Sequence, residues 1–413
     1  MYNPALTPST QESTVTNVRF ASALSTESNT ARAVDEVCRQ VLEQLAVEPS
    51  AAPADLAVLF VSKHHGPPFG RIAEEVQRQI GSRMLVGCVG QAVLGGAREI
   101  EGEPAISLWL ASLPGSTLTP MRLEYQRNGA GGSFVGWPAS LADTWADGSG
   151  LLLLAEPFSF PADVLLERLN NDHPQTAVFG GMASGGLAPS ENRLFFGGEE
   201  LDTGAVAVLI EGGVKIHTVV SQGCRPIGQS WVITKAEHNE IYSLGGKPPL
   251  ARLQALLETL PTHEKQLLQR GLHIGRVINE YQSEFHRGDF LVKNVIAADT
   301  SDGSIAIGDY VRAGQTVQFH LRDDKTADED LRELLGRAAV ALERSPAGAL
   351  LFTCNGRGTQ LFDHPHHDAA MLQETFGDIP LAGFFAQGEI GPIGGQNFLH
   401  GFTASVVLFE PLG

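Results

Sequence analysis

The stretch MLVGCVG, residues 84–90, carries the pattern that decides the fold. Its apolar and branched residues predict a buried strand, and Gly87 interrupts that strand near its centre. A glycine inside a strand usually marks a bulge or the close approach of another backbone. The apolar run DLAVLFV (55–61) and the segment PFGRIAEEVQRQIG, which has apolar residues on one helical face, precede this strand. A glycine-rich turn at 95–96 and a third strand, AISLWLAS (105–112), follow it.

The same order of elements occurs twice more along the chain. The second unit runs from LLLLAEP (151–157) to GAVAVLIE (204–211), and the third runs from GALLFTC (348–354) to GFTASVVLFE (401–410). In all three units a glycine lies in the middle strand and a polar residue follows four positions later. These pairs are Gly87 and Gln91, Gly180 and Ser184, and Gly383 and Gln387. The sequence therefore predicts internal repeats of one strand-helix-strand-hairpin-strand unit.

The first and third units also share a lead-in. A short strand, VRFASA (18–23) or TVQFHLR (316–322), comes before an amphipathic helix, for which Thr30 and Thr326 are the predicted N-caps. Units of this kind predict an α+β fold of layered mixed β-sheets with helices outside, in two related halves. We expect two sheets packed face to face. A helical pair that begins within 248–261 is expected to join the halves.

Length, composition and charge limit the class of protein. The chain has 413 residues, of which 43% are apolar and 18% charged, which is typical of a globular protein of two domains or one duplicated domain. The net charge of -18 disfavours binding to nucleic acid or to acidic membrane surfaces. Four widely spaced cysteines favour reduced thiols, and no apolar run approaches the roughly 20 residues that span a bilayer. The N-terminal stretch has no secretory pattern, so we expect a soluble, cytoplasmic protein.

The candidate site begins in LLFTCNGRGTQLF (350–362), where an apolar strand ends on Cys354. The next four residues are Asn355, Gly356, Arg357 and Gly358. We expect the two glycines to relax the backbone, so that amide groups turn toward a ligand as in an anion-binding nest. The guanidinium of Arg357 is suited to bidentate binding of a carboxylate or phosphate. A tight turn in which Arg357 makes a structural salt bridge is the alternative.

Glu389, in QGEIGP, follows the middle strand of the same unit. The ends of neighbouring strands lie side by side, so Arg357 and Glu389 are expected to face one crevice. There they would bind the carboxylate and the ammonium of an amino acid, or they would neutralise each other. The candidate ligand-binding residues are Cys354, Asn355, Gly356, Arg357, Gly358, Gln387, Glu389, Asn397 and His400.

Two other chemistries are weaker alternatives. A thiolate at Cys354 with His400 as its base would make a nucleophile, but a thiol that ends an apolar strand is usually a small buried hydrophobic group. The histidines of DHPHHD (363–368) and KHHG have no established zinc spacing. We therefore predict no catalytic residue, no metal and no cofactor.

Three segments of the chain resemble a known family. CNGRG (354–358), AGFFAQGEIGP (382–392) and NFLHGFTASVVLF (397–409) resemble the signature segments of the FIST C domain. The segment 20–220, which contains FVSKHHG and VGCVGQAVLGG in that order, resembles the FIST N domain.

The resemblance implies a FIST N-like domain over 15–220 and a FIST C-like domain over 221–413. It also implies an intracellular sensory protein of signal transduction that binds a small ligand, such as an amino acid, and acts on a protein signalling partner. No kinase, cyclase or receiver segment is visible in this sequence. A protein-interaction scaffold and a Cys-dependent enzyme are the alternatives.

Overall fold

The computed structural model describes residues 18–45, 54–129, 131–139, 145–282 and 284–412. In these residues seven α-helices lie around twenty-five strands. The helices are α1 (Thr30–Leu45), α2 (Gly70–Ile80), α3 (Ala162–Asp172), α4 (Pro249–Thr259), α5 (Thr262–Arg270), α6 (Asp324–Ala341) and α7 (His367–Phe376). The strands are β1 (Arg19–Ser25), β2 (Leu56–Ser62), β3 (Met84–Gly90), β4 (Val93–Gly95), β5 (Arg98–Ile100), β6 (Ile106–Ser112), β7 (Thr117–Asn128), β8 (Gly131–Val135), β9 (Gly150–Ala155), β10 (Ala177–Met182), β11 (Leu194–Phe196), β12 (Glu199–Leu201), β13 (Ala205–Glu211), β14 (Val214–Ser221), β15 (Cys224–Glu237), β16 (Glu240–Leu244), β17 (His273–Val277), β18 (Phe290–Ala298), β19 (Ile305–Ile307), β20 (Thr316–Arg322), β21 (Gly348–Cys354), β22 (Leu381–Ala386), β23 (Glu389–Ile393), β24 (Gln396–His400) and β25 (Ala404–Pro411).

The strands form three open sheets and one closed barrel. Sheet 1 has the order β1-β6-β2-β3-β11-β12, sheet 2 the order β24-β23-β10-β9-β13-β7-β8, and sheet 3 the order β14-β25-β21-β22-β4-β5. The barrel has the order β15-β16-β19-β18-β17-β20. The predicted α+β fold of layered mixed sheets is confirmed. The expected number of sheets was wrong, because three sheets are found where two were expected.

Each predicted unit gives three strands to one sheet and its hairpin to another. Within a unit the first and middle strands are parallel, and the last strand is antiparallel to the first. The hairpin β4–β5 joins sheet 3, β11–β12 joins sheet 1 and β23–β24 joins sheet 2. Sheets 2 and 3 therefore contain strands from both sides of residue 220. A true internal repeat and a domain boundary at this residue both stay predictions.

The middle-strand glycines lie where two strands come very close. Gly87, Gly180 and Gly383 each pair with a leucine of the first strand and with the donated hairpin. A Cβ atom at these glycines would lie 1.9, 1.9 and 1.8 Å from the carbonyl oxygen of that leucine. No residue with a Cβ atom fits these positions, which explains the glycine pattern of the sequence.

The three sheets share one apolar core, and the helices cover its outside. Phe60 of sheet 1 packs on Phe384 of sheet 3 with ring centroids 5.1 Å apart, and Phe179 of sheet 2 contacts Phe409 of sheet 3. Helices α1 and α2 cover sheet 1, α3 covers sheet 2, and α6 and α7 cover sheet 3. No described helix is long and apolar enough to cross a membrane.

The lead-in predicted for the third unit, a strand at 316–322 followed by a helix, is found, but its strand does not join the sheet of that unit. The segment 316–322 forms β20 of the barrel, and β14 takes the place beside β25 that β1 has beside β6. The predicted helix caps were wrong. The Asn29 side chain accepts the Arg32 amide at 3.1 Å, and the Asp323 side chain accepts the Thr326 amide at 2.6 Å. Amide and carboxylate oxygens thus take the capping position, which leaves Thr30 and Thr326 inside the first turns.

The barrel is a separate layer on the edge of sheet 3. Ile233, Ile274, Val317 and Phe319 fill it, and the predicted helical pair, α4 and α5, packs leucines against it. A small apolar cluster outside the barrel is formed by Cys224, Val277, Phe290 and Val292. Strand β20 runs directly into α6, so the barrel is tied to the helix that covers sheet 3. This connection places the end of β20 beside the CNGRG loop.

Candidate functional site

Arg357 lies inside the protein, and a carboxylate of the chain already binds it. Its Nε and Nη2 atoms each donate a hydrogen bond of 2.7 Å to Asp368, at the start of α7. Both side chains are almost completely buried. Burial opposes ionisation of Asp368, but the Arg357 guanidinium holds the pKa of this carboxyl well below its usual value. The bidentate geometry expected for a ligand is therefore used in a structural salt bridge, which was the alternative prediction.

The predicted histidine cluster supports this ion pair. The His367 ring contacts Asp368 at 2.9 Å and Asp328 at 3.1 Å, and it stacks on Phe362 with a centroid distance of 3.4 Å. His366 accepts the amide hydrogen of Glu99 at 3.0 Å. Among the described residues, no group of three or more His, Cys, Asp or Glu side chains is arranged to hold a metal ion. In the other histidine pair of the sequence, His64 and His65, the His65 ring lies 3.1 Å from the Thr30 hydroxyl.

The expected nest of free amides in the CNGRG loop was wrong. The backbone N–H of Asn355 donates to the Ala386 carbonyl at 3.0 Å, and the backbone N–H of Arg357 donates to the Cys354 carbonyl at 2.8 Å. The Gly356 amide points at the Cys354 sulfur, 3.5 Å away. Only Gly358, with φ of 55°, adopts the left-handed conformation. These contacts close the turn on itself, so its backbone offers no row of donors to an anion.

Glu389 is buried next to this turn but does not pair with Arg357. Its Oε2 atom accepts the Thr403 amide at 3.0 Å, and its Oε1 atom has no partner among the described residues. The described residues give it no ion pair within 4.0 Å. Burial raises the pKa of Glu389 to about 8, against the lowering effect of the Thr403 amide and of the Cys354 thiol. The predicted crevice with Arg357 and Glu389 on its two sides is therefore not present, and neither is their mutual neutralisation.

Cys354 and His400 do not form a catalytic pair. Burial and the nearby Glu389 carboxyl raise the pKa of the Cys354 thiol to about 12. The His400 Nε2 atom donates to the Gly391 carbonyl at 2.9 Å, and burial lowers the pKa of this imidazole to about 3. A protonated thiol and a neutral histidine held by the backbone do not provide a nucleophile and its base.

The two remaining predicted residues are Asn397 and Gln387. The Asn397 side chain accepts the Val178 amide at 2.8 Å and donates to the Thr176 carbonyl at 2.9 Å. It therefore fastens β24 to the beginning of β10. The Gln387 side chain is exposed, and the backbone N–H of this residue donates to the Met182 carbonyl at 3.1 Å.

The sequence did not reveal a second arginine of this region, Arg322, which lies at the end of β20. A cleft of about 620 Å³, here called the junction cleft, lies between the barrel and the CNGRG loop. Its lining includes Leu267, Leu272, Arg322, Asp324, Asp363 and Phe402. Gly356 is the one CNGRG residue in this lining. Arg357 and Glu389 lie behind it.

Arg322 is a half-buried cation without an anionic partner. Its Nη2 atom donates to the Gly356 carbonyl at 2.6 Å, and its guanidinium lies 4.1 Å from the ring centroid of Phe402. Among the described residues no carboxylate lies within 4.0 Å of it, and its Nε atom is buried without a partner. Burial and the charge of Arg357 lower the pKa of Arg322. A cation that has lost part of its hydration and has no counterion is suited to bind an anion from outside.

Phe402 holds this arginine from a strained backbone conformation. Its φ is 63°, a value rarely found for a bulky residue. The ring packs on Arg322 on one side and on the His273 ring, at 5.1 Å and edge to face, on another. Strain of this kind concentrates at functional sites, where surrounding contacts maintain it. In the sequence, Phe402 lies in the turn HGF (400–402) after β24. The position of this turn along the chain does not indicate a contact with β20.

Comparison with known protein families agrees with this architecture. The model of the FIST N domain matches residues 55–247, and the model of the FIST C domain matches residues 252–392. The chain belongs to the FIST family. FIST domains are in general sensory domains with a role in small-ligand binding, so the resemblance found in the sequence is confirmed.

The FIST protein has close relatives in mycobacteria. An uncharacterized protein of Mycobacterium tuberculosis is 43% identical over 392 residues, which cover 95% of this chain and 100% of the relative. An uncharacterized protein of Mycobacterium bovis is also 43% identical over 392 residues, which cover 95% of this chain and 99% of the relative. Both similarities extend over the barrel as well as the three sheets.

Proposed function

We propose that this FIST protein is a sensory protein of signal transduction that binds a small amino acid in the junction cleft, beside the CNGRG loop. The carboxylate of the ligand pairs with Arg322. Its ammonium binds Asp324 or Asp363, which are exposed at the rim of the cleft. Its side chain packs against Leu267 and Leu272. Convergent polar groups beside a few apolar side chains are the means by which a small-molecule site fixes the orientation of its ligand.

The unpaired guanidinium of Arg322 is the observation that supports this proposal most strongly. An arginine binds a carboxylate through two parallel hydrogen bonds, and the buried Nε atom of Arg322 is a donor that no described residue uses. The Gly356 carbonyl and the Phe402 ring hold the guanidinium in place, so a ligand does not have to order it.

The inner residues have a supporting role in this proposal. Arg357 and Asp368 fix the turn that carries Gly356, and Gly356 in turn holds Arg322. Glu389 adds a nearby carboxyl whose raised pKa keeps it largely neutral at pH 7, so it does not compete for the arginine. Of the predicted ligand-binding residues, we place Gly356 in contact with the ligand and the others of the loop behind it.

We propose a cytoplasmic location and a protein partner that senses the ligand-bound state. All four cysteines are free thiols, which favours a reducing compartment. The net charge of -18 argues against a nucleic-acid or acidic-membrane partner. We propose no catalytic role for Cys354, because its thiol stays protonated at neutral pH.

A thermal-shift screen tests the proposal. The panel contains the standard amino acids, their deaminated acids and their decarboxylated amines. A ligand at 100 times its Kd stabilises the folded state by about 2.7 kcal/mol. At least one amino acid should raise the melting temperature more than its deaminated and decarboxylated analogues.

The shift should disappear in Arg322→Gln and persist in Arg71→Gln, a matched change of an exposed arginine on α2. Arg322→Lys checks the site without loss of charge, and should recover part of the shift. No shift with any amino acid, or an unchanged shift in Arg322→Gln, would refute the proposal.

A further inference from the structure

The barrel has a second cleft, at one of its mouths. This barrel-mouth cleft, of about 750 Å³, lies between the barrel, helix α3 and strand β24. Its lining includes Asp163, Arg276, Lys293, Asp309, Tyr310 and Leu399. The mouths of β-barrels are frequent positions for ligand sites. Two cations line this cleft, Arg276 and Lys293. Lys293 has no carboxylate partner, and one donor of Arg276 has no hydrogen-bond partner among the described residues.

Both cations lie on the face of the barrel wall that points inward. Lys293 is the cross-strand partner of Ile274, which is buried in the barrel core. Arg276 follows Ile274 by two residues on β17 and therefore shares its face. Residues in this diagonal relation are about 7–8 Å apart, within reach of two long side chains. One small molecule can contact both.

Lys293 has no carboxylate partner. Its Nζ atom donates to the Leu399 carbonyl at 2.7 Å, and among the described residues no Asp or Glu oxygen lies within 4.0 Å. Burial lowers the pKa of Lys293, and the charge of Arg276 acts in the same direction, against Asp309 and Asp163. A larger fraction of this amine is therefore neutral at pH 7 than of an exposed lysine. A neutral, desolvated amine is the nucleophile that attacks carbonyl groups.

Arg276 can bind an anion beside this amine. Its Nη2 atom donates to Asp309 at 3.2 Å, while its Nε atom is buried and has no partner among the described residues. The second oxygen of Asp309 accepts the Tyr310 amide at 2.9 Å instead. Of the two N–H donors on one edge of the guanidinium, only Nη2 thus has a hydrogen-bond partner. A ligand carboxylate would accept a hydrogen bond from Nε.

We propose that the barrel-mouth cleft binds a small carbonyl compound that carries a carboxylate, such as a 2-oxo acid or an aldehyde acid, and that Lys293 holds it as a reversible imine. The lone pair of Nζ attacks the carbonyl carbon, and the C=O electron pair moves to the oxygen. Both hydrogens of the amine then leave with this oxygen as water, and the C=N bond forms. Hydrolysis reverses the step, so no oxidant or reductant takes part. The carboxylate of the compound pairs with Arg276.

Reductive trapping with glyoxylate tests this proposal on the full chain. Cyanoborohydride converts a glyoxylate imine of lysine into a stable carboxymethyl-lysine, which peptide mass spectrometry locates. At neutral pH, Lys293 should be trapped several-fold faster than the exposed lysines Lys63, Lys235, Lys247 and Lys325, which serve as internal controls. Trapping of Lys293 at the same rate as these controls, or more slowly, would overturn the proposal.

Two variants and a second probe separate the amine from the carboxylate contact. Lys293→Arg keeps the charge but should abolish trapping at this position and leave the four controls unchanged. Arg276→Gln should slow the trapping of Lys293 by acetaldehyde, which has no carboxylate, only through the lost charge of Arg276, and should slow its trapping by glyoxylate several-fold more. Equal slowing with both probes would refute the role of Arg276. Circular dichroism of each variant verifies the fold.

Discussion

Replacing Asp368 by Asn should destabilise the protein strongly, because it leaves the buried Arg357 guanidinium without a counterion. The Oδ2 atom of Asp368 accepts hydrogen bonds from Arg357 Nε at 2.7 Å and from the Thr353 hydroxyl at 2.6 Å. An Asn side chain places an NH₂ group against one of the two carboxylate positions. Each buried donor that loses its acceptor costs about 1–3 kcal/mol, so two of them cost about 2–6 kcal/mol. Breaking a buried ion pair costs about 3–5 kcal/mol, which agrees.

Urea unfolding measures this loss as the change in the free energy of unfolding. A matched control is Glu43→Gln, which removes the partner of Arg39 in an exposed pair on α1. The control should lose less than about 1 kcal/mol, because exposed ion pairs contribute little. If Asp368→Asn also lost less than about 1 kcal/mol, the account of Arg357 as a structural residue would be refuted. Conversely, replacing both members of the pair by apolar residues should restore part of the stability.

Three further predictions follow from the buried groups. Because the Glu389 pKa rises from 4.5 to about 8 on folding, its contribution to stability is fully present below about pH 4.5 and is lost as the pH rises through about 8. Calorimetry should therefore show that the melting temperature of Glu389→Gln rises relative to that of the wild type between these pH values. The same pH dependence of the melting temperature in both proteins would contradict this. The Cys354 thiol, with its pKa raised to about 12, should react with iodoacetamide at about pH 8 far more slowly than a free thiol, and Cys354→Ser should leave ligand binding nearly intact. Gly383→Ala should cost more than about 3 kcal/mol of unfolding free energy or prevent folding, because its Cβ would meet the Leu351 oxygen. The control Gly336→Ala, in α6 with open space around it, should be neutral or stabilising, and equal effects of the two changes would show that the close approach is wrong.

The strands of the three sheets could be predicted because their patterns are local. MLVGCVG and GALLFTC match β3 and β21 residue for residue, since both are continuous apolar runs bounded by turns. The barrel was harder to predict. Its strands include register shifts, for example between Ile227 and Trp231 on β15, and they lack the glycine pattern of the three units.

The candidate site was only partly predictable for the same reason. CNGRG indicates a special turn, and the structure shows one. The partner of Arg357, however, comes from the start of a helix 11 residues later, within a histidine run that suggested a metal. Arg322 meets Gly356 only because β20 closes the barrel beside sheet 3, and no spacing in the sequence encodes that contact. The exchange of hairpins between sheets likewise depends on long-range contacts, which local patterns do not encode. Each unit forms a sheet of its own, so there are three sheets where two were expected.

Isothermal titration of Arg322→Gln with the amino acid found in the screen tests the central claim most directly. Loss of one member of a buried, hydrogen-bonded charge pair costs about 2–5 kcal/mol, so the affinity should fall roughly 30-fold to several thousand-fold relative to the wild type. The same titration of Glu389→Gln should show nearly unchanged affinity at neutral pH, because this carboxyl is largely neutral and lies behind the cleft lining. Unchanged affinity in a folded Arg322→Gln protein, together with a large loss in Glu389→Gln, would contradict the account and place the ligand deeper, at Glu389.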